Sequence, residues 1–236
     1  MRIFFFSTVF APSVGGIETL AELLCREFTA MGHEVRLAMS TPGGGEYPFA
    51  VVRRPSAREF ARLLRWCDVH LQANVSLKHA WPWIVAPKKL IYQHNNAYQR
   101  DDGSRGPLDH LKAFVARRSV GIANSRYTAE RTGASNVVLN AYDDSVFNAC
   151  IPWDERDRDV AFLGRLVSQK GCDTLMEAVA RLAARGSRPS VTVIGDGPDR
   201  AMLGEMAARE GLDAQMTFTG AIKGRELAVE LNRHRI

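Results

Sequence analysis

Short, nearly continuous apolar runs alternate with stretches of helical spacing along the whole chain, and this alternation narrows the possible folds more than any other feature. Arg2–Thr8 reads as an apolar strand. Gly15–Met31 then carries Ile17, Leu20, Ala21, Leu24 and Phe28 at helical spacing, and Gly32-His33 stops that helix before a strand at Glu34–Met39. Further strands are expected at Phe49–Val52, Val69–Gln72, Lys89–Gln93, Val120–Ala123 and Asn136–Leu139. Helices fit between them, at about 56–66, 107–118 and 125–132. Strands that are apolar on both faces and separated by helices imply a parallel sheet covered on both sides.

Between Asn140 and Asp159 the periodicity lapses, and Asp143, Asp144, Pro152, Asp154, Glu155 and Asp157 follow in quick succession, as in a linker. The alternation then restarts: strand Val160–Leu163, helix Cys172–Arg185, strand Ser190–Ile194, helix about 199–210, strand Met216–Thr219, helix from Lys223. Two domains are expected, residues 1–150 and 159–236. The second stops at Ile236, where a further strand is expected to begin, so its sheet reads as incomplete.

Composition excludes several classes. The 236 residues are 46% hydrophobic and 24% charged, ordinary for a globular protein. A net charge of +5 suits anionic ligands or membrane surfaces but is too weak to indicate nucleic acid. Cys25, Cys67, Cys150 and Cys172 are scattered, without Cys-x-x-Cys or histidines at metal spacing, which points to free thiols in a reducing compartment and to no metal site. No run approaches the roughly 20 apolar residues of a spanning helix.

The element Phe162-Leu163-Gly164-Arg165-Leu166-Val167-Ser168-Gln169-Lys170-Gly171 sets two cations across a strand-to-helix turn. Arg offers a planar fork and Lys a mobile point charge, a pair suited to a diphosphate. Gly15-Gly16 opens a helix after the first strand, where backbone N–H groups can approach an anion, although a plain turn would also use these residues. Gly195-Asp196-Gly197-Pro198 carries the same two readings. His94, beside Asn95 and Asn96, follows a strand end, where ligands of open parallel sheets collect; a structural histidine is the alternative. Arg54, Arg58, Arg62 and Arg65 make a basic stripe on one helix, and Lys112, Arg117 and Arg118 accompany Leu108, Leu111, Phe114 and Val115 on another. Such helices are either solvated faces or surfaces for anionic membranes.

Taken in order, these residues resemble the retaining, nucleotide-sugar-dependent glycosyltransferases of family 4, also called group 1. The resemblance is carried by Gly15-Gly16-Ile17-Glu18, Gly32-His33-Glu34-Val35, His94, Ala123-Asn124-Ser125, Asn140-Ala141-Tyr142-Asp143, Gly164-Arg165 with Lys170-Gly171, and Gly195-Asp196-Gly197-Pro198. It implies an α/β fold of GT-B type, with two Rossmann-like parallel-sheet domains, the second incomplete. It further implies a nucleotide-diphosphate-sugar co-substrate, no metal or other cofactor, and no nucleic-acid partner. Arg165 and Lys170 would bind the donor diphosphate and stabilise the leaving group. Gly15 and Gly16 would approach the same phosphates, His94 would touch the transferred sugar, and Gly195, Gly197 and Ile222 would flank the nucleobase. The acceptor, whether sugar, lipid or other, is left open.

Two departures bear on this reading. Ala141 replaces the family's usual glycine in the linker motif, and the family's paired downstream glutamates are absent. The alternative function is therefore a truncated, inactive or accessory nucleotide-sugar-binding protein. A cytoplasmic location is expected, with contact at the inner face of the membrane an option. An unfinished second sheet would also invite self-association.

Overall fold

The computed structural model describes residues 1–12, 15–85, 90–99 and 103–236. The chain forms two compact units, Met1–Tyr142 and Asp143–Ile236.

The first unit holds a seven-stranded sheet in which every pairing is parallel. Its strands are β1 (Arg2–Ser7), β2 (Glu34–Met39), β3 (Ala50–Arg53), β4 (Val69–Ala73), β5 (Leu90–His94), β6 (Val120–Ala123) and β7 (Asn136–Val137). The spatial order is β3-β2-β1-β4-β5-β6-β7, so the winding reverses between β1 and β4. The helices are α1 (Gly16–Ala30), α2 (Ala57–Trp66), the single turn α3 (Pro82–Val85), α4 (Pro107–Arg117) and α5 (Arg126–Thr132).

Because strand residues alternate between faces, the apolar run of β1 supplies two cores. Ile3 and Phe5 join Leu37, Met39, Leu71, Ala73 and the Ala21 and Cys25 face of α1. Phe4 and Phe6 join Phe60, Leu63 and Leu64 of α2 on the other face. That second face continues across the sheet through Leu90 and Tyr92, which Val115 and Ala116 of α4 cover.

Helix ends are set by local chemistry. Ser56 caps α2, with its hydroxyl accepting from the Glu59 N–H while the Glu59 carboxylate accepts from the Ser56 N–H. Pro107 at the start of α4 and left-handed Gly133 after α5 act likewise.

One expectation shifts. The strand expected to reach Leu139 ends at Val137, because β6 ends at Ala123 and the Val138 N–H to Ala123 carbonyl bond closes the ladder. Of the apolar residues on α4, Val115 joins Ala113 and Ala116 in the core, while Leu108, Leu111 and Phe114 are exposed. Lys89, expected to open β5, lies outside the described residues.

The second unit repeats the pattern with β8 (Val160–Leu163), β9 (Val191–Ile194) and β10 (Met216–Gly220), parallel in the order β10-β9-β8. Helices α6 (Cys172–Ala184), α7 (Arg200–Arg209) and α8 (Gly224–Asn232) follow them. Cys172, Met176 and Val179 of α6 and Leu203 and Ala207 of α7 bury Val191, Val193 and Met216.

The free edge of β8 is not bare. Residues 233–236 run beside it, with Arg158 N–H to the Arg233 carbonyl, Arg235 N–H to the Arg158 carbonyl, and Ala161 and Ile236 closing the ladder. This segment lies on the side of β8 opposite β9, so here too the winding reverses beside the first strand. Residues 148–151 are fastened to this unit by Asn232, whose carboxamide accepts from Cys150 N–H at 2.8 Å and donates to the Asn148 carbonyl at 2.9 Å.

Candidate functional site

Ligands of open parallel sheets gather beyond the carboxyl ends of the strands, at the point where the winding reverses. In the second unit that end is built from the residues that the sequence singles out. Gly164-Arg165 follows β8, Gly195-Asp196-Gly197 follows β9, and Ala221-Ile222 follows β10.

Arg165 and Lys170 are exposed, and no hydrogen bond or ion pair among the described residues engages either head group. Lys170 closes a one-turn 3-10 helix at Ser168–Lys170. Gly171, at φ 71°, then redirects the chain into α6, whose first turn has no side-chain cap. Two unpaired cations and the uncapped positive end of a helix are therefore consecutive in the chain.

The glycines of the β9 turn have a different cause. The Gly164 N–H donates to the Ile194 carbonyl at 3.0 Å, and the Leu166 N–H donates to the Asp196 carbonyl at 3.0 Å, so the two turns pack backbone to backbone. A Cβ on Gly195 would overlap the Gly164 carbonyl oxygen, and one on Gly197 would overlap that of Leu166. Their missing side chains make room for a neighbouring turn rather than leaving open space for a ligand. Asp196 is exposed and accepts from the Gly197 N–H at 2.8 Å. Ile222 is half-buried between left-handed Gly220 and Gly224.

In the first unit Gly15 precedes α1 in an extended conformation, and a Cβ there would meet the Glu18 carboxylate. Among the described residues, nothing lies within 4 Å of the position a Cβ on Gly16 would take. The chain leading to this loop is held by Arg53, whose guanidinium donates to the carbonyls of Ala11 at 2.9 Å, Thr41 at 3.2 Å and Gly44 at 3.0 Å. The Phe10 N–H also donates to the Thr41 hydroxyl at 3.1 Å.

His94 lies at the end of β5, but in the core. It is fully buried, with Nδ1 2.7 Å from the Tyr98 hydroxyl and Nε2 facing Gly121 without a partner. The Tyr98 oxygen accepts from the Val75 N–H at 2.8 Å, so its own proton is available to His94 Nδ1. Burial pushes the His94 pKa down to about 4, which leaves a neutral imidazole at pH 7. In this structure the ring is packed in the core against Tyr98 and Gly121 at the end of β5.

Sequence reading missed Arg53, Tyr98 and Asn74, and did not join Asn74 to Asn95 and Asn124, which it had named. Asn74, Asn95 and Asn124 are each the residue immediately past a strand, on the neighbouring strands β4, β5 and β6. The Asn95 N–H donates to Asn74 Oδ1 at 2.8 Å, and Asn124 Nδ2 donates to the Asn95 carbonyl at 3.4 Å. The common offset was visible in the chain and could have identified them.

A cavity of about 490 Å³, lined by His33, Glu34, Arg36, Phe49, Ala50 and Arg62 among others, opens at the amino ends of β2 and β3, away from these features. Among the described residues, no three His, Cys, Asp or Glu side chains converge as metal ligands.

Two parallel-sheet units, with an anion-suited strand end on the second, define the class of two-domain Rossmann-like GT-B proteins. Residues 147–236 match the family model of the glycosyl transferases group 1. The chain is 37% identical over 68 residues to the 2-deoxystreptamine glucosyltransferase of Streptomyces kanamyceticus, which is 29% of this chain and 18% of that protein. Its fold is similar to that of Anabaena HepE crystallised with UDP, at TM-score 0.70 and 18% identity, covering 94% of this chain and 70% of that one. Sucrose-phosphate synthase from Thermosynechococcus elongatus is also similar, at TM-score 0.72 and 13% identity over 99% of this chain and 74% of that one.

Proposed function

We propose that the protein transfers a sugar from a nucleoside diphosphate donor to an acceptor hydroxyl, with retention at the anomeric carbon. The observation that carries this reading is the pair Arg165 and Lys170, exposed and without ion-pair partners among the described residues, on a turn fixed by its contacts with Gly195 and Gly197. The UDP held by Anabaena HepE supports a diphosphate as the ligand.

In the transfer, the bond between the anomeric carbon and the diphosphate oxygen breaks as the acceptor oxygen forms its own bond to that carbon. The diphosphate leaves with an additional negative charge. Arg165 and Lys170 stabilise that charge as it develops, which accelerates the step because the interaction is strongest in the transition state. The acceptor proton passes to the departing phosphate oxygen or to solvent. His94, buried and neutral, is not its carrier; with Tyr98 it holds the β5 end in place.

The test is calorimetry with UDP, GDP and ADP, followed by Arg165→Ala and Lys170→Ala. At least one diphosphate should bind, and each substitution should weaken it about tenfold or more through loss of a charge-assisted contact. Failure of all three to bind, or equal affinity in both variants, would overturn the reading.

A further inference from the structure

The ladder between β2 and β3 stops one step short of where β2 begins. The Arg54 N–H reaches the Met39 carbonyl, and the register pairs Arg36 with Ala50. That phase turns the N–H and C=O groups of odd-numbered β2 residues toward β3, while Glu34 donates its N–H to the Met1 carbonyl on the β1 side. Continued in phase, the Val35 N–H would donate to the Pro48 carbonyl and the His33 carbonyl would accept from residue 48. Neither bond forms. Pro48 has no N–H to give, and no hydrogen bond among the described residues takes up the Val35 N–H or the His33 carbonyl. Val35 is 4% exposed, and a buried backbone N–H is rarely left without an acceptor.

This break lies in the cavity of about 490 Å³ at the amino ends of β2 and β3. Val35, Phe49, Val52 and Leu63 give the cavity apolar walls, and Arg62 of α2 joins them. Arg62 is exposed and makes no ion pair among the described residues. The two carboxylates that line the cavity are engaged elsewhere. Glu34 pairs with Arg36 at 3.0 Å, and Glu59 accepts from the N–H and the hydroxyl of Ser56 at 2.9 and 2.7 Å. The Arg36 guanidinium is further occupied by the Trp66 ring, 3.9 Å away. The cavity thus combines an unpartnered backbone donor, an unpaired guanidinium and apolar walls, in the size range of small-molecule sites. A backbone N–H and a guanidinium together suit a carboxylate, whereas a cationic group would leave both donors unmatched.

We propose that this cavity binds a small carboxylate with an apolar body, its oxygens taking the Val35 N–H and the Arg62 guanidinium and its body lying against Phe49, Val52 and Leu63. The cavity lies at the amino ends of its strands, whereas the Gly15-Gly16 loop follows the carboxyl end of β1. Its ligand is therefore separate from a sugar donor, and the proposal does not depend on the transferase reading.

Titration of the isotope-labelled full chain with N-acetylphenylalanine, N-acetylleucine and octanoate tests it, read by NMR at the Val35 amide and by calorimetry. At least one of these carboxylates should bind and move the Val35 amide proton downfield, and added UDP should leave that binding unchanged. Arg62→Glu should weaken it about tenfold or more, through loss of a charge-assisted contact. Ala50→Trp, at an exposed position in the cavity wall, should weaken it by filling the space. Both positions are exposed, so the fold is expected to persist, as checked by circular dichroism. Arg58→Glu, an exposed cation of the same helix outside the cavity lining, should bind as the parent chain does. The proposal is overturned if none of the three carboxylates moves the Val35 amide, or if UDP displaces them. It is equally overturned if uncharged N-acetylphenylalaninamide binds as tightly as N-acetylphenylalanine, or if Arg58→Glu loses as much affinity as Arg62→Glu.

Discussion

Gly195 and Gly164 meet backbone to backbone, with no room between them for even a methyl group. Gly195 also lies at φ 143°, a conformation that side chains disfavour. Gly195→Ala should therefore destabilise the second unit by on the order of 3 kcal/mol or more, from strain and overlap together. Denaturant unfolding of the two variants Gly195→Ala and Gly16→Ala makes the contrast. Gly16 opens α1 with no atom of the described residues near the place a Cβ would take, so alanine there should change stability by less than about 1 kcal/mol. If Gly16 serves the donor, its alanine variant should still bind UDP more weakly.

Two buried histidines set a pH dependence. The pKa values of His70 and His94 are both pushed down to about 4, each mainly by desolvation. Their unfolded values are near 6.5, so between pH 6.5 and 4 the unfolded chain binds more protons than the folded one. Stability is then fully present above the unfolded value and falls with pH through that window. The loss from pH 7 to pH 5 should be about 2 kcal/mol for each ring. Urea midpoints across this range measure it, and His70→Gln should flatten the slope. The same slope in that variant would show that His70 is not a source.

Much of this fold could be read from sequence because its information is local. Strand Val120–Ala123 and strand Val160–Leu163 coincide with β6 and β8, since apolar run and flanking turn agree. Helix boundaries at Ser56 and Gly133 were likewise written in capping chemistry. The site was legible only as residue types at strand ends. His94 packs against Tyr98 and Gly121, and the need for glycine at 195 depends on Gly164, a residue 31 positions earlier.

Asn232 couples the end of α8 to the start of the second unit. Its carboxamide accepts from Cys150 N–H and donates to the Asn148 and Ala228 carbonyls, in an 8% exposed environment. Asn232→Ala should cost roughly 2–3 kcal/mol, because it leaves the backbone groups of residues 148–150 unpaired. Limited proteolysis should show faster cleavage within residues 143–152. Unchanged cleavage would mean that the segment is held by other contacts.

Arg53 joins three segments without using a carboxylate. It gathers the carbonyls of Ala11, Thr41 and Gly44, and Ala11 is four residues before Gly15. A lysine at this position keeps the charge but lacks the planar fork that addresses separate acceptors at once. Arg53→Ala should lower stability by about 1–2 kcal/mol and expose residues 40–48 to protease, with Arg53→Lys only partly restoring protection. If the glycine loop serves the donor, Arg53→Ala should also weaken UDP binding without touching Arg165 or Lys170. Calorimetry on the folded variant decides: equal affinity would confine Arg53 to holding the loops together, and a loss that Arg53→Lys recovers in part would make it a positioning residue.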